Sequence, residues 1–459
     1  MSPRHALLAV LALVGALAGA GAAAIVPASA ATAQTPDDFR DVMWVGNNWA
    51  GTATIVDEDA LEVLKTGVDL VPDKTQELRD IRLNPARLAL FHLVRRLPGE
   101  GHDQFVDDMF ATTDGKHLAV SRPSLSDVVW IDIAKATSTG GPASIVREQQ
   151  MDGYRTDHMA MSPDGRRLLV SDSTKKQVIE YSMVDETMGG EQIALGDRLR
   201  TFPTGETPHE SNYTADGQRI FHASIGKVYT PYDNPKLPLH DQIKGDRWFQ
   251  IVNNSDFSIA NRWQIGKELA EAGHPGMSAA VRPMALSPDE RFAYFQVSYF
   301  HGIVEFDTEA EDINHAVNYS TGTQPEPATG AVTRLINLPK RTTLSAERYV
   351  NDSAHHGLAM NEAGTTLCAA GTMDDYVALV DRASGNPTFF DKQTTGHAYG
   401  KPYWSTEGLN DTCWISLSDT DSVAVIDFDT KQELAYLPVG DHPQRVRHGL
   451  VPESVAATW

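Results

Sequence analysis

Eight of the sixteen histidines recur at comparable places: His102, His158, His209, His274, the pair His355 and His356, His397 and His442 each stand at or just before an apolar stretch that reads as a strand. Aligning these stretches on a shared Asp-Gly turn puts Asp107, Asp157, His209, Arg282, His356, Tyr403 and Gln444 in one slot, and Asp108, His158, Glu210, Pro283, Gly357, Trp404 and Arg445 in the next. If the slots face a common channel, they make a ring of carboxylates, imidazoles and guanidiniums. Such a ring can bind a divalent metal, polarise a carbonyl or hold a charged small ligand. The expected ligand-binding set is Asp107, Asp108, Asp157, His158, His209, Glu210, Arg282, His356, Tyr403 and Arg445, with His158, His209 and His356 as the metal candidates. A hydrolytic alternative uses His209 and Glu210 to activate water and Arg282 to stabilise an oxyanion. An architectural alternative has the imidazoles tie turns to the backbone, as His442 would in its Gly-Asp-His-Pro turn. No HExxH or CxxC spacing occurs, so the metal expectation rests on ring geometry alone.

The elements that must position these residues are spelled by a repeat. Met159–Met183 runs from an apolar stretch through Asp164-Gly165 to a second strand, a polar turn and a third strand; the same order recurs from Asp108, Glu210, Met284 and Leu358. The turn positions Asp114, Asp164, Asp216, Asp289 and Ala363 are 50, 52, 73 and 74 residues apart, so the later copies carry insertions. A unit that cannot bury its own faces stacks on its copies, which predicts a solenoid or propeller. In the copy at Asp164 the expected strands are His158 to Ser162, Arg167 to Ser171, Gln177 to Met183 and a fourth around Glu191 to Leu195. Leu168, Leu169 and Val170 form the unbroken apolar run of a strand covered on both faces.

Five copies have a clear turn, and a sixth lies at Tyr403 to Val439. The seventh is split: Val42 to Leu64 supplies second, third and fourth strands, and Arg445 to Val451 supplies a first strand. Joining them closes a ring and removes the open sheet edges. The expected fold class is therefore all-β, a seven-bladed β-propeller closed by its two terminal segments, one domain over residues 34–459, with short helical insertions on one face.

Val42-Met43-Trp44-Val45-Gly46-Asn47-Asn48, Asp421-Ser422-Val423-Ala424-Val425-Ile426-Asp427 and Val439-Gly440-Asp441-His442-Pro443 resemble the strand, "VSVID" and "VGDHP" signatures of the YVTN-type secreted β-propeller repeat family. Weaker versions cover nearly all of the chain after residue 33. The chain departs from the family in its long blades and in several blades without the strict strand signature. The resemblance implies a seven-bladed propeller in the cell envelope or outside the cell. It implies no particular reaction, because propellers host many functions. Lactonase-type seven-bladed propellers are similar in architecture, and they are the source of the hydrolytic alternative.

Residues 1–33 read as a secretory signal, with Arg4 in the charged region, Ala6 to Val26 apolar, and Ala28-Ser29-Ala30 or Ala31-Thr32-Ala33 as the cleavage site. Its removal leaves no membrane span; its retention would leave an anchor. The formal charge is −22, which argues against nucleic-acid partners and leaves a small molecule or an envelope protein or peptide. Four of five long insertions (residues 71–103, 230–246, 261–281 and 338–354) should lie on the face where the first strands begin, with 308–330 on the other. Loops on a rigid scaffold gather binding residues, so that face is the expected functional one. Asn84 and Pro85 should open a helix placing Leu88, Phe91 and Leu93 or Val94 to one side and stopping at Pro98-Gly99. Cys368 and Cys413 fall on second strands of consecutive blades; an exported chain permits a disulfide between them if the sheets approach locally.

Overall fold

A computed structural model describes residues 38–97, 99–227, 239–310 and 330–459, except for the side chains of residues 241 and 242. The signal expected over 1–33, the bulk of the 308–330 loop, part of the 230–246 insertion and Pro98 lie outside the described residues. Seven four-stranded antiparallel sheets are arranged as blades, each running in order from its first to its fourth strand. Blade 1 combines Phe39–Asn47, Thr52–Asp57 and Glu62–Asp69 with the C-terminal Pro443–Pro452 as its first strand, so the expected closure is present. Its register runs from Phe39 opposite Pro452 to Asn47 opposite Pro443. Arg40 locks the seam by donating to both oxygens of Glu453 at 3.0 and 3.1 Å.

The repeated turn has one local cause. A Ser or Thr hydroxyl donates to the Asp two residues on, as from Thr112 to Asp114 (2.6 Å), Ser162 to Asp164 (2.6 Å) and Thr214 to Asp216 (2.7 Å). The Asp then accepts a backbone amide two residues further on. The intervening Gly115, Gly165 and Gly217 take φ of 64–67°, where a glycine is least strained. In blade 6 Asn361 replaces this pairing and accepts from the amides of Thr365 and Thr366.

Apolar residues pack between the blades, and Trp44, Trp130, Trp263 and Trp414 are fully buried there. Cys368 and Cys413 are bonded across blades 6 and 7, their Cα atoms 6.5 Å apart. One strand lies elsewhere than expected. The fourth strand of blade 3 is Arg198–Pro203, while Glu191–Ile193 pairs with Glu186–Met188 in a separate hairpin. Gly189 and Gly190, both at positive φ, make the two-residue turn that closes it.

The blade 1 to 2 link holds two helices. Lys74–Leu83 was not evident in the sequence; Pro85–Arg96 was, and the Asn84 side chain caps it by accepting from the amides of Ala86 and Arg87. Phe91 and Val94 face the core and Leu93 is exposed, which decides between the two alternatives. A short helix, Ile265–Glu271, follows the fourth strand of blade 4, and two 3₁₀ turns precede blade 6. Glu100 of the blade 1 to 2 link pairs with Lys401 ahead of blade 7 at 2.9 Å, and Lys244 of the 230–246 insertion pairs with Asp352 ahead of blade 6 at 3.5 Å, whereas Glu268 of the Ile265–Glu271 helix accepts from the amide of Ala331 just ahead of the fourth strand of blade 5. No helix among the described residues is long and apolar enough to cross a membrane.

Candidate functional site

The first strands of neighbouring blades lie against one another and form the channel wall. In several of them the ladder breaks at the ring residues. The register shifts between Thr156 and Met159, between Pro208 and Ser211, between Val281 and Met284, and between Pro402 and Trp404. Those intervals hold Asp157 and His158, His209 and Glu210, Arg282, and Tyr403. A bulge re-aims its side chains, and here it turns all of these except Glu210 into the mouth of the channel. Second-strand side chains satisfy the backbone groups that the bulges free. Ser171 donates to the His209 carbonyl at 2.9 Å, and Gln296 both accepts from Gly357 N and donates to Gly357 O, next to His356.

The resulting cavity is about 360 Å³ including its open mouth, and its walls include Gln104, Asp107, Arg155, Asp157, His158, His209, Arg282, Asn351, His356, Tyr403 and Arg445. Its interior is narrow, so an ion with the polar head of a ligand fits inside, and the rest of an organic ligand would extend into the open mouth.

His158, His209 and His356 each offer a nitrogen within 4.8 Å of the other two, and all three are buried. Their ring centroids are 3.8 Å apart for His158 and His209, 5.5 Å for His209 and His356, and 6.1 Å for His158 and His356. Burial holds all three imidazoles well below their usual range. Arg445 adds to this for His158 and His356, and His356 and Arg282 do so for His209. They are therefore neutral at physiological pH, the form that ligates metal. The Nδ1 of each has no hydrogen-bond partner. That leaves buried polar atoms which an ordinary packing role would have satisfied. Arg445 Nη2 donates to His158 Nε2 and lies 3.4 Å from Asp107 Oδ1. Burial pushes the Asp107 carboxyl up to about 6. Asp157 is held by Arg155 at 2.5 Å and by Ser173 at 2.8 Å.

Eight of the ten expected ligand-binding residues line this cavity; Asp108 and Glu210 do not. Asp108 takes both arms of Arg447 at 2.8 Å and the Met159 amide at 3.1 Å. Burial raises its carboxyl, but the Arg447 ion pair overrides this and leaves it below the usual carboxylate range. Glu210 accepts from Asn212 and from the Met284 amide at 3.2 Å, and burial pushes it up to about 7. Each carboxylate thus stitches its own first strand to that of the next blade. The structure does not bring Glu210 together with His209 and Arg282 around the cavity, as the hydrolytic alternative expected. Gln104, Arg155 and Asn351 were missed in the sequence reading, as was Arg447. Arg155 stands two residues before Asp157, just ahead of its strand, and Arg447 two residues after Arg445 on the same strand, so period-2 alternation could have found them. Gln104 and Asn351 come from links with no repeat signal.

No protein-family model matches the chain, and no curated protein does. Among solved structures the chain is similar to Kuenenia stuttgartiensis hydrazine synthase, at 12% identity over 75% of this chain and 88% of that one, with a TM-score of 0.48.

Proposed function

We propose that this chain is an exported binding propeller whose working centre is a three-histidine site for a divalent transition metal at the insertion-bearing mouth of the channel, and whose ligand is a small molecule that reaches the ion. One observation carries this reading: three buried, neutral imidazoles have converging nitrogens and unpartnered Nδ1 atoms. Three protein ligands with a fourth position open is the pattern of a reactive or ligand-binding site rather than a closed structural one. When bound, the ion would supply Lewis acidity toward a ligand oxygen. The protein's own residues orient the site: Ser171 and Gln296 fix the backbone at His209 and beside His356. The leader-like residues 1–33 support export, and the YVTN-like motifs support an envelope or extracellular setting.

The test is elemental analysis after dialysis against Zn²⁺, Co²⁺ or Cu²⁺ and then against metal-free buffer. We expect about one equivalent per chain in the wild type and none in a folded His158→Ala/His209→Ala/His356→Ala variant. Metal absent from the wild type, or retained in the triple variant, would refute the reading.

A further inference from the structure

The three histidines sit in a surplus of fixed positive charge. Arg155, Arg282 and Arg445 line the cavity against only Asp107 and Asp157. With neutral imidazoles the surplus is one unit before any ion binds, and a dication adds two more. A desolvated cavity cannot hold that charge without an anion.

Arg445 is built to receive one. It is 1% exposed, its guanidinium lies 4.1 Å from the Trp404 ring centroid, and its Nε and Nη1 have no hydrogen-bond partner. Buried N–H groups left unsatisfied are costly, so the one on Nε and the two on Nη1 of a single side chain lining a cavity mark a missing acceptor. Arg282 is a second, independently anchored cation. Its Nε and Nη2 bond Ser298 Oγ at 3.1 and 2.9 Å, and Nη2 also bonds the Asn351 carbonyl.

We propose that the site takes a small planar monoanion, a carboxylate or an inorganic oxyanion, on Arg445 beside the histidine-held ion, with Arg282 as the second cationic contact. A guanidinium fork matches such an anion in two parallel hydrogen bonds, which an ammonium cannot do. The tight interior admits the charged head and leaves any attached chain to the open mouth. This inference rests on the metal reading of the same site, and its test separates the two.

The experiment loads the full protein with Co²⁺, quantifies cobalt by elemental analysis, and then titrates sodium nitrate, acetate or hexanoate while recording the visible cobalt spectrum. Saturable spectral change is expected in the wild type. In Arg445→Gln, cobalt should stay at one equivalent while anion affinity falls at least tenfold. Arg282→Gln serves as the second variant should Arg445→Gln fail to fold, and its expected loss is about threefold or more. Hexanoate binding as well as acetate identifies the carboxylate of a larger molecule; nitrate and acetate binding with hexanoate excluded identifies a small free oxyanion. Unchanged anion affinity in folded, cobalt-loaded variants, or no anion response in cobalt-loaded wild type, overturns the proposal. If the wild type holds no cobalt, the metal reading fails alone, and the anions are titrated into the ion-free protein by calorimetry. There, heat that is lost in Arg445→Gln supports the anion site, whereas no heat, or equal heat in both proteins, overturns it.

Discussion

Four trios of ligand-type side chains among the described residues share this close spacing, and the two that hold more than one histidine differ in what their hydrogen bonds leave over. In the trio of His301, His355 and Asp374, both imidazoles donate to one carboxylate oxygen, at 2.6 and 3.0 Å. The other oxygen accepts the amides of Arg341 and Thr342, and Tyr349 donates to His301. Burial raises the Asp374 carboxyl, yet these hydrogen bonds override it and hold it below the usual carboxylate range. Only His355 Nδ1 is left without a partner in that network. In the trio of His158, His209 and His356 no carboxylate satisfies the set, and all three Nδ1 atoms are left over. Proximity alone therefore does not mark a site; unsatisfied capacity does.

The sharpest way to break this contrast is to cut each trio once. His209→Gln should lower Co²⁺ affinity by at least about 100-fold, or roughly 2.7 kcal/mol, while moving the unfolding free energy of the ion-free protein far less. Asp374→Ala should do the reverse: it strands two imidazoles and two amides, costing about 3 kcal/mol by urea denaturation, with metal content unchanged. Exchanged outcomes would reverse the assignment of the two trios.

Glu210→Gln tests whether that carboxyl serves the architecture rather than the cavity. Its folded-state pKa is raised by burial to about 7, so the folded chain holds a proton that the unfolded chain releases, and native stability falls as pH rises from about 4.5 to 7. The variant mimics the protonated form. It should gain relative to wild type across that window, level off above it at about 3 kcal/mol, and keep its metal. A gain that does not vary with pH would contradict this.

Ser171→Ala removes the bond to the His209 carbonyl. It should cost about 1 kcal/mol of stability and a few-fold in metal affinity, with no change at the second trio. The smallest effect is one of pH. Because the three imidazoles already titrate well below their usual range, protons do not compete for them near neutrality, and Co²⁺ affinity should vary less than about threefold between pH 6.5 and 8.5. A tenfold fall per unit below pH 7.5 would show ordinary, solvated histidines.

Blade number, circular closure and most of the cavity wall were legible because each rests on a repeated local signal. The Ser/Thr-x-Asp-Gly turn sets the register, and the register sets the slots. What escaped depends on contacts distant in sequence. Asp108 and Glu210 share a slot with His158 and Arg445, yet Arg447 claims the first, and Asn212 and the Met284 amide the second. The hairpin at Gly189-Gly190 drew the fourth strand of blade 3 away from Glu191, since its glycines close a tighter local pairing than the repeat pattern suggested.

The most direct measurement is a crystal structure of the Co²⁺-loaded protein with anomalous scattering collected at the cobalt edge. The account predicts one strong peak bonded to His158, His209 and His356 at about 2.1 Å. A peak at His301, His355 and Asp374 instead, or none at either trio in a cobalt-soaked crystal, would contradict it.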